Sequence, residues 1–437
     1  MSVLPRRSVL AGLAAAPALP AASWGQERTL DVRPGVAFTP ARIAVAPFAG
    51  DPDPARLMAG IVTDNFKRSV FLAPVEGGPG QAFPGQATPE QPALEAFRAA
   101  GAQFVLTGRA ARGPDGQLRT EFRLWDAGSG QQIAGQVYST DPAMARRVAH
   151  IVSDQAFTRI TGEGGWFDSR VAFVDETGPK EARRKRIAVM DQDGGGLQYL
   201  TNGDSLAVTP RFSPSGRDMA FMSFDAADPK VALLDLASRG REVLGGFSGM
   251  TFAPRFSPDG TRIVVSLAEG PAAQLYAMDL RSRKVTRLTD GSDIDTAPSY
   301  SPDGARIAFE SDRGGGQQIY LMAAEGGPPK RISFGEGRYS TPVWSPKGDL
   351  IAFTRRRGDT FAVGVMRPDG SGERTLAEGF HNEGPTFAPN GLHLMFFRSL
   401  SAGGGPKLHM IDVFGRQESP VPTPSWASDP SWGPLQG

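Results

Sequence analysis

The chain has 437 residues, of which 40% are hydrophobic and none is cysteine. The lack of cysteine excludes disulfides, thiolate metal sites and a lipid-accepting cysteine behind an export signal. Its 47 lysine and arginine residues nearly balance 46 aspartate and glutamate residues, which argues against a nucleic-acid-binding role.

Residues 1–25 are predicted to form an export signal. Arg6 and Arg7 make a basic start, residues 9–22 are apolar, and small residues around 23–25 resemble a cleavage site. The apolar stretch is too short for a membrane span. The paired arginines fit the twin-arginine route and an ordinary secretory signal alike, so both export routes stay open. We expect the mature protein to be exported, and to lie in the periplasm if the host has an outer membrane.

Residues 26–165 are predicted to be a small α/β domain. Residues 42–48 indicate a strand, and Asp53 followed by proline predicts the start of a helix running to about Ser69. The side of this helix that faces the core is expected to carry Leu57, Ile61 and Phe66.

The rest of this domain continues the mixture of helices and strands. A second helix is predicted near residues 93–100, a strand over 104–108, and a hairpin from 118–125 and 132–138. Asp141, again followed by proline, opens a long predicted helix. We therefore expect a mixed sheet with helices packed on it.

A seven-residue phrase, Pro-x-aromatic-Ser-Pro-x-Gly, governs the remainder of the chain. Successive copies start 43–45 residues apart. That period is typical of a propeller blade. The phrase begins at Pro210, Pro254, Pro298, Pro342, Pro385 and, truncated by the chain end, Pro430.

Each repeat reads as four short strands joined by turns, and a sheet of that size buries its faces only between neighbours. The first blade starts at Arg170 without a preceding phrase, while the chain ends on an unmatched phrase at Pro430. Residues 166–437 are thus predicted to form a six-bladed β-propeller whose last strand completes the first blade.

Catalytic signatures are sparse. The sequence has no Gly-x-Ser-x-Gly elbow and no phosphate-binding loop, and its four histidines lack zinc-ligand spacing. We therefore expect no catalytic residues and no cofactor. A divalent cation held by Asp290, Asp293 and Asp295 at the mouth of the channel stays open as an alternative.

Two basic runs, residues 180–186 and 355–357, fit outer hairpins exposed to solvent. The alternative reading is contact with an acidic partner.

The loops that precede the six inner strands should converge on one mouth of the ring, which suits partner capture. Met250, Phe252 and His381 would offer apolar and aromatic contacts there, and Glu383 and Asp429 would offer charge.

The whole predicted layout resembles the TolB family, the periplasmic component of the Tol–Pal system. Beyond the blade phrase, the likeness rests on Ser-Asp-Gln-Ala-Phe at residues 153–157, Ile-Thr-Gly at 160–162, Arg-Val-Ala-Phe at 170–173 and the strand at 43–48. The resemblance implies a monomeric, non-enzymatic coupler that supports cell division and outer-membrane integrity.

The resemblance also implies two binding regions. The lipoprotein Pal would bind at the mouth of the propeller, and the inner-membrane protein TolA would bind an extended N-terminal segment. The predicted mouth residues are Met250, Phe252, Ala253, Thr296, Ser340, His381, Glu383 and Asp429. The predicted N-terminal segment is Thr29, Leu30, Asp31, Val32 and Arg33. A propeller enzyme or peptidase-associated propeller that uses the channel as its active site is the alternative.

Overall fold

The computed structural model describes residues 14–15, 38–75, 89–90, 92–179, 182–225, 229–245, 247, 249–401 and 403–437. The predicted export signal lies outside these ranges except for the backbone of two residues. The chain divides into two compact units, Met1–Asp168 and Ser169–Gly437. None of the described helices is long and apolar enough to cross a membrane.

The first unit is a mixed sheet with packed helices, which confirms the predicted fold class. Its strands run in the order β1-β7-β6-β5-β2-β4, and β3 pairs with β5. The strands are β1 (Ala14–Ala15), β2 (Ala41–Val45), β3 (Ala49–Gly50), β4 (Leu72–Pro74), β5 (Phe104–Arg112), β6 (Leu118–Asp126) and β7 (Gln132–Thr140). The helices are α1 (Pro52–Arg68), α2 (Leu94–Ala99), a 3-10 turn (Pro142–Met144) and α3 (Ala145–Thr161).

Helix α1 begins two residues earlier than predicted. Asp51, not Asp53, is the N-cap residue, and its carboxylate accepts the backbone N–H of Arg112 at 2.8 Å. The aspartate that starts the helix is therefore held by strand β5. The predicted core face is also shifted, because Leu57 is 48% exposed while Met58 is fully buried.

Asp154 in helix α3 fastens the segment that follows the helix. Its carboxylate accepts three backbone N–H groups, from Trp166 at 2.6 Å and from Phe167 and Asp168 at 2.8 Å each. Burial raises the pKa of Asp154 to about 6, the three donors act in the opposite direction, and the nearby carboxylate of Asp168 raises it further. The indole of Trp166 is fully buried.

The second unit is a six-bladed propeller of four-stranded antiparallel sheets, as predicted. Blade 1 contains β8 (Ser169–Thr177), β9 (Arg184–Asp191), β10 (Gln198–Tyr199) and the last strand, β31 (Trp426–Leu435). Blade 2 contains β11 (Ala207–Phe212), β12 (Asp218–Ser223), β13 (Lys230–Asp235) and β14 (Arg241–Val243). Blade 3 contains β15 (Thr251–Phe256), β16 (Arg262–Glu269), β17 (Ala272–Asp279) and β18 (Val285–Arg287).

The remaining blades repeat this plan. Blade 4 contains β19 (Thr296–Tyr300), β20 (Arg306–Ser311), β21 (Gln318–Ala323) and β22 (Lys330–Arg331). Blade 5 contains β23 (Arg338–Trp344), β24 (Ile351–Arg357), β25 (Thr360–Met366) and β26 (Arg374–Gly379). Blade 6 contains β27 (His381–Phe387), β28 (His393–Ser399), β29 (Lys407–Asp412) and β30 (Glu418–Pro420).

The last strand closes the ring by pairing with β8, which confirms the predicted closure. The indole N–H of Trp432 donates to Ser169 Oγ at 2.8 Å, and Ser428 Oγ donates to Glu176 at 2.7 Å. The backbone N–H of Trp432 reaches the neighbouring blade, where Thr386 Oγ1 accepts it at 3.0 Å. One strand thus joins both ends of the propeller.

The repeated phrase also packs blade against blade. In blade 4 its turn closes through the N–H of Gly304 and the carbonyl of Ser301, 2.9 Å apart, with Gly304 at φ +71°. A Cβ on the equivalent Gly348 would lie 3.2 Å from Pro302 of the preceding blade. Likewise, a Cβ on Gly216 would lie 3.1 Å from Pro434, so the truncated last phrase completes this ring of turns.

Candidate functional site

The inner strands of all six blades share one backbone irregularity near the channel. In each strand the residue before the proline of the phrase has a positive φ, between +47° and +66°, and the pairing register shifts there. These residues are Thr209, Ala253, Ala297, Thr341, Gly384 and Asp429.

Only one of these six residues is glycine. Left-handed backbone costs a residue with a side chain about 1–2 kcal/mol. Proline cannot donate to the strand ladder, so the bulge falls where one hydrogen bond is missing in any case. The inner wall of the propeller is therefore a ring of six strained bulges. The sequence pattern did not reveal them, since a residue before proline ordinarily adopts an extended conformation.

Three of the predicted mouth residues lie on or beside β15 of blade 3. Met250 precedes the strand, is half-buried, and its carbonyl accepts the N–H of Ala268 at 3.0 Å. Phe252 is half-buried and pairs with Ser266, and Ala253 forms the bulge at φ +49°. The structure brings these three together on the inner strand.

Thr296 is buried, with 8% of its surface exposed, and its hydroxyl donates to the carboxylate of Glu310. The other carboxylate oxygen of Glu310 accepts the N–H of Thr341 in the next blade at 2.9 Å. Burial raises the pKa of Glu310 above its ordinary value, and the carboxylate of Glu383 adds to that rise. Thr296 thus supports an interblade bridge instead of offering open contact surface.

Ser340 is half-buried on β23 and pairs with Thr354. The hydroxyl groups of Thr354 and Thr341 lie 2.8 Å apart, and Thr354 also accepts the N–H of Gly384 from blade 6 at 3.3 Å. The blade 5 to blade 6 contact therefore repeats the Glu310 bridge with a hydroxyl in place of a carboxylate.

Asp429 is the predicted site residue with the most perturbed surroundings. Burial raises its pKa, the Arg211 guanidinium and the Lys185 ammonium lower it, and the carboxylates of Glu383 and Glu176 raise it. Burial in turn lowers the pKa of Arg211 to about 10, against the opposing effect of Asp429. The inner strands of blades 1 and 2 thus carry half-buried groups of opposite charge that affect each other's pKa. The sequence analysis did not single out Arg211.

His381 and Glu383 form a pair at the mouth of blade 6, with Nε2 and Oε2 2.8 Å apart. The imidazole packs edge-to-face on Phe361 of blade 5 and on Phe397, with ring centroids 4.8 and 5.4 Å away. Beside it, Phe380 is 47% exposed. The start of blade 6 therefore combines aromatic surface with a hydrogen-bonded imidazole and carboxylate.

One of the three aspartates suggested as a cation site is bound by an arginine. Asp295 is fully buried, and its two carboxylate oxygens accept Nη2 of Arg313 at 2.9 and 2.7 Å. Asp290 and Asp293 lie in the exposed loop that leads to it. The carboxylate of Asp295 is thus neutralised by an arginine.

Several residues of the two basic runs form ion pairs within the propeller, while Arg356 donates to a backbone carbonyl instead. In blade 1, Arg186 binds the buried Asp175 at 2.8 Å, and Arg183 and Lys185 both bind the buried Glu176. In blade 5, Arg355 binds Glu373 at 2.8 Å and Arg357 binds Glu336 at 3.0 Å. These charges balance locally. The predicted N-terminal segment, residues 29–33, lies outside the described residues.

Two family models match the chain. The TolB beta propeller domain matches residues 157–436, and the TolB amino-terminal domain matches residues 29–133. The structure of TolB from Acinetobacter baumannii superposes with a TM-score of 0.80 at 27% identity, covering 93% of this chain and 98% of that one.

More distant structures share the propeller fold alone. The hydrazine synthase of Kuenenia stuttgartiensis matches with a TM-score of 0.51 at 14% identity, over 63% of this chain and 47% of that one. A chain of a nidogen/laminin complex matches with a TM-score of 0.50 at 7% identity, over 62% of this chain and the whole of that one.

Proposed function

The chain belongs to the TolB family, and from this membership we propose that it acts in the periplasm as a non-enzymatic scaffold of the Tol–Pal system. It binds the lipoprotein Pal at the mouth of the propeller and TolA through its N-terminal segment. These contacts support outer-membrane invagination during division and outer-membrane integrity. The scaffold works as a monomer and without a cofactor.

The observation that carries this proposal is the composition of the mouth. The mouth-side end of blade 3 carries the half-buried Phe252, and that of blade 6 carries the exposed Phe380 and the His381–Glu383 pair. Aromatic anchors next to a few charged groups are the typical make-up of a protein-binding surface. The six strained bulges behind them hold the rim in a fixed conformation, which lowers the entropic cost of binding.

The N-terminal segment supplies the second contact by a different mechanism. Residues 29–33 read Thr-Leu-Asp-Val-Arg, a short alternation of polar and apolar residues. Such a segment adds as an extended strand to the edge of a partner's sheet. In this proposal the scaffold links one partner on the rigid rim to another on its N-terminal end.

The test measures binding of the exported chain, starting after residue 25, to the purified soluble domain of Pal by calorimetry. Met250→Lys should weaken binding at least tenfold because it places a charge in the apolar part of the mouth. Val243→Lys, on the outermost strand of blade 2, is the matched control and should leave the Kd unchanged. Absence of Pal binding by the unmodified chain would overturn the proposal.

A second measurement addresses TolA. Removing residues 26–33 should abolish capture of TolA while the unfolding transition and Pal binding stay unchanged. Turnover of peptide or glycan substrates by the purified chain would instead favour the enzymatic alternative.

A further inference from the structure

Blade 5 carries two arginines directly opposite each other at the mouth end of its sheet. Arg338 of β23 pairs with Arg356 of β24, so their side chains lie on the same face of the sheet. Cβ atoms of directly opposed residues are about 4.5–5.5 Å apart, and like charges at this spacing are destabilising. The register of β23 and β24 therefore places two exposed side chains of like charge opposite each other.

Nearby acidic groups do not relieve this repulsion. Glu336 binds Arg357, and Glu373 binds Arg355 and the hydroxyl of Tyr339. Among the described residues, neither Arg338 nor Arg356 has a carboxylate partner; Arg356 donates only to the carbonyl of Gly358, at 3.0 Å. The charges of Arg355 and Arg357 are thus neutralised by carboxylates, whereas those of Arg338 and Arg356 are not.

Aromatic side chains lie next to the two arginines on the same face of the sheet. Arg356 pairs with Phe361 of β25, and its guanidinium carbon lies 5.3 Å from the centroid of that ring. The ring of Phe361 in turn contacts His381 of blade 6. Glu378 pairs with Ala362, one position along, so its carboxylate lies on the other face of the sheet. The surface where blade 5 meets blade 6 thus presents two arginines beside two aromatic rings.

We infer that this surface binds an acidic side chain of a protein partner. The two arginines hydrogen-bond its carboxylate, and the aromatic rings contact the adjacent apolar residue. The inference rests on the proposed docking function of the mouth and specifies the chemistry of its partner. A planar carboxylate accepts hydrogen bonds from guanidinium groups in bidentate geometry and cancels their repulsion. The rings of Phe361 and His381 favour a polypeptide ligand, which carries apolar side chains, over a purely anionic glycan or lipid headgroup.

The design of the variants separates binding from folding. Arg338→Gln and Arg356→Gln each remove one charge from the opposed pair. Arg357→Gln removes the same charge from the neighbouring position, where alternation along the strand points the side chain to the opposite face. If the pair serves binding, its two variants should weaken binding and, by relieving repulsion, leave the melting temperature equal or higher.

The first probe is the soluble domain of Pal. We expect its Kd to rise about tenfold or more for each variant of the pair and to change less than twofold for Arg357→Gln. The dependence of log Kd on log salt should also become shallower in the double variant. Unchanged affinity in the double variant would overturn the inference while leaving the proposed function in place.

The second probe keeps the inference testable even if Pal does not bind and the proposed function fails. It is a fluorescein-labelled peptide, Gly-Glu-Phe-Glu-Phe-Gly, compared with its Gln counterpart and with heparin as a simple polyanion. Binding of the Glu peptide alone, lost in the double variant, is the expected result. Equal binding of the Gln peptide, binding only of heparin, or a lowered melting temperature of the double variant would each contradict the inference.

Discussion

Replacing Trp432 by alanine should destabilise the propeller, because Trp432 lies in the strand that closes the ring. Trp432 is only 7% exposed, and its indole N–H donates to Ser169 at the start of the first blade. Truncating a buried tryptophan costs about 3–5 kcal/mol. The hydroxyl of Ser169 also loses its donor, which adds about 1 kcal/mol. The sum is a large part of the 5–15 kcal/mol that typically stabilises a domain.

The assay is urea unfolding of the exported chain. Unfolding is monitored by far-ultraviolet circular dichroism, because the variants remove a tryptophan and would change the fluorescence signal. Trp432→Phe is the intermediate variant, because it keeps most of the buried ring and loses only the hydrogen bond, for a cost of about 1 kcal/mol. Deleting residues 425–437 removes the whole strand and should leave no cooperative transition for the propeller. An unchanged midpoint for Trp432→Ala, or for the deletion, would refute the closure argument.

Three further predictions concern buried acids and strained backbone. The pKa of Asp154 is raised from 3.8 to about 6, so protonation of this residue favours the folded state. Its contribution to the free energy of unfolding is fully present below about pH 4 and is lost as the pH rises through 6. Asp154→Asn should remove that part of the pH dependence in urea titrations between pH 4.5 and 7.5. Ala297→Gly should stabilise the chain by about 0.5–1 kcal/mol in thermal unfolding, because Ala297 has a φ of +50°. Gly384→Ala, at the equivalent bulge of blade 6, should destabilise it. If both variants changed the stability in the same direction, the bulges would not be strained. Glu310→Ala should cost about 1–3 kcal/mol by orphaning the N–H of Thr341, while Glu310→Gln, which keeps an acceptor, should cost less in the same unfolding assay.

The architecture was predictable because its signals are local and repeated. Each copy of the phrase contains its own turn, and Gly304 forms the expected bond to Ser301. The unmatched phrase at Pro430 sufficed to predict which strand completes blade 1. The start of α1 was wrong by two residues because two consecutive Asp-Pro pairs offer equivalent starts, and the contact of Asp51 with Arg112 decides between them.

The chemistry of the mouth was less accessible from the sequence. Residue types at the rim were identified, yet the burial of Thr296 and its bond to Glu310 depend on strand pairing. The opposition of Arg338 and Arg356 likewise arises from the register of β23 with β24, which residue spacing does not encode. Long-range pairing determines which charges are neutralised, so local patterns alone could not separate paired from unpaired arginines.

The position of β31 in the first blade has a consequence for biogenesis. Blade 1 combines residues 169–199 with residues 426–435, so it lacks its inner strand until the other five blades have been synthesised. The blades cannot mature strictly in the order in which they leave the ribosome. A chain that stops before Trp426 leaves β8 with an unpaired edge, and an unpaired strand edge is a template for pairing with another chain.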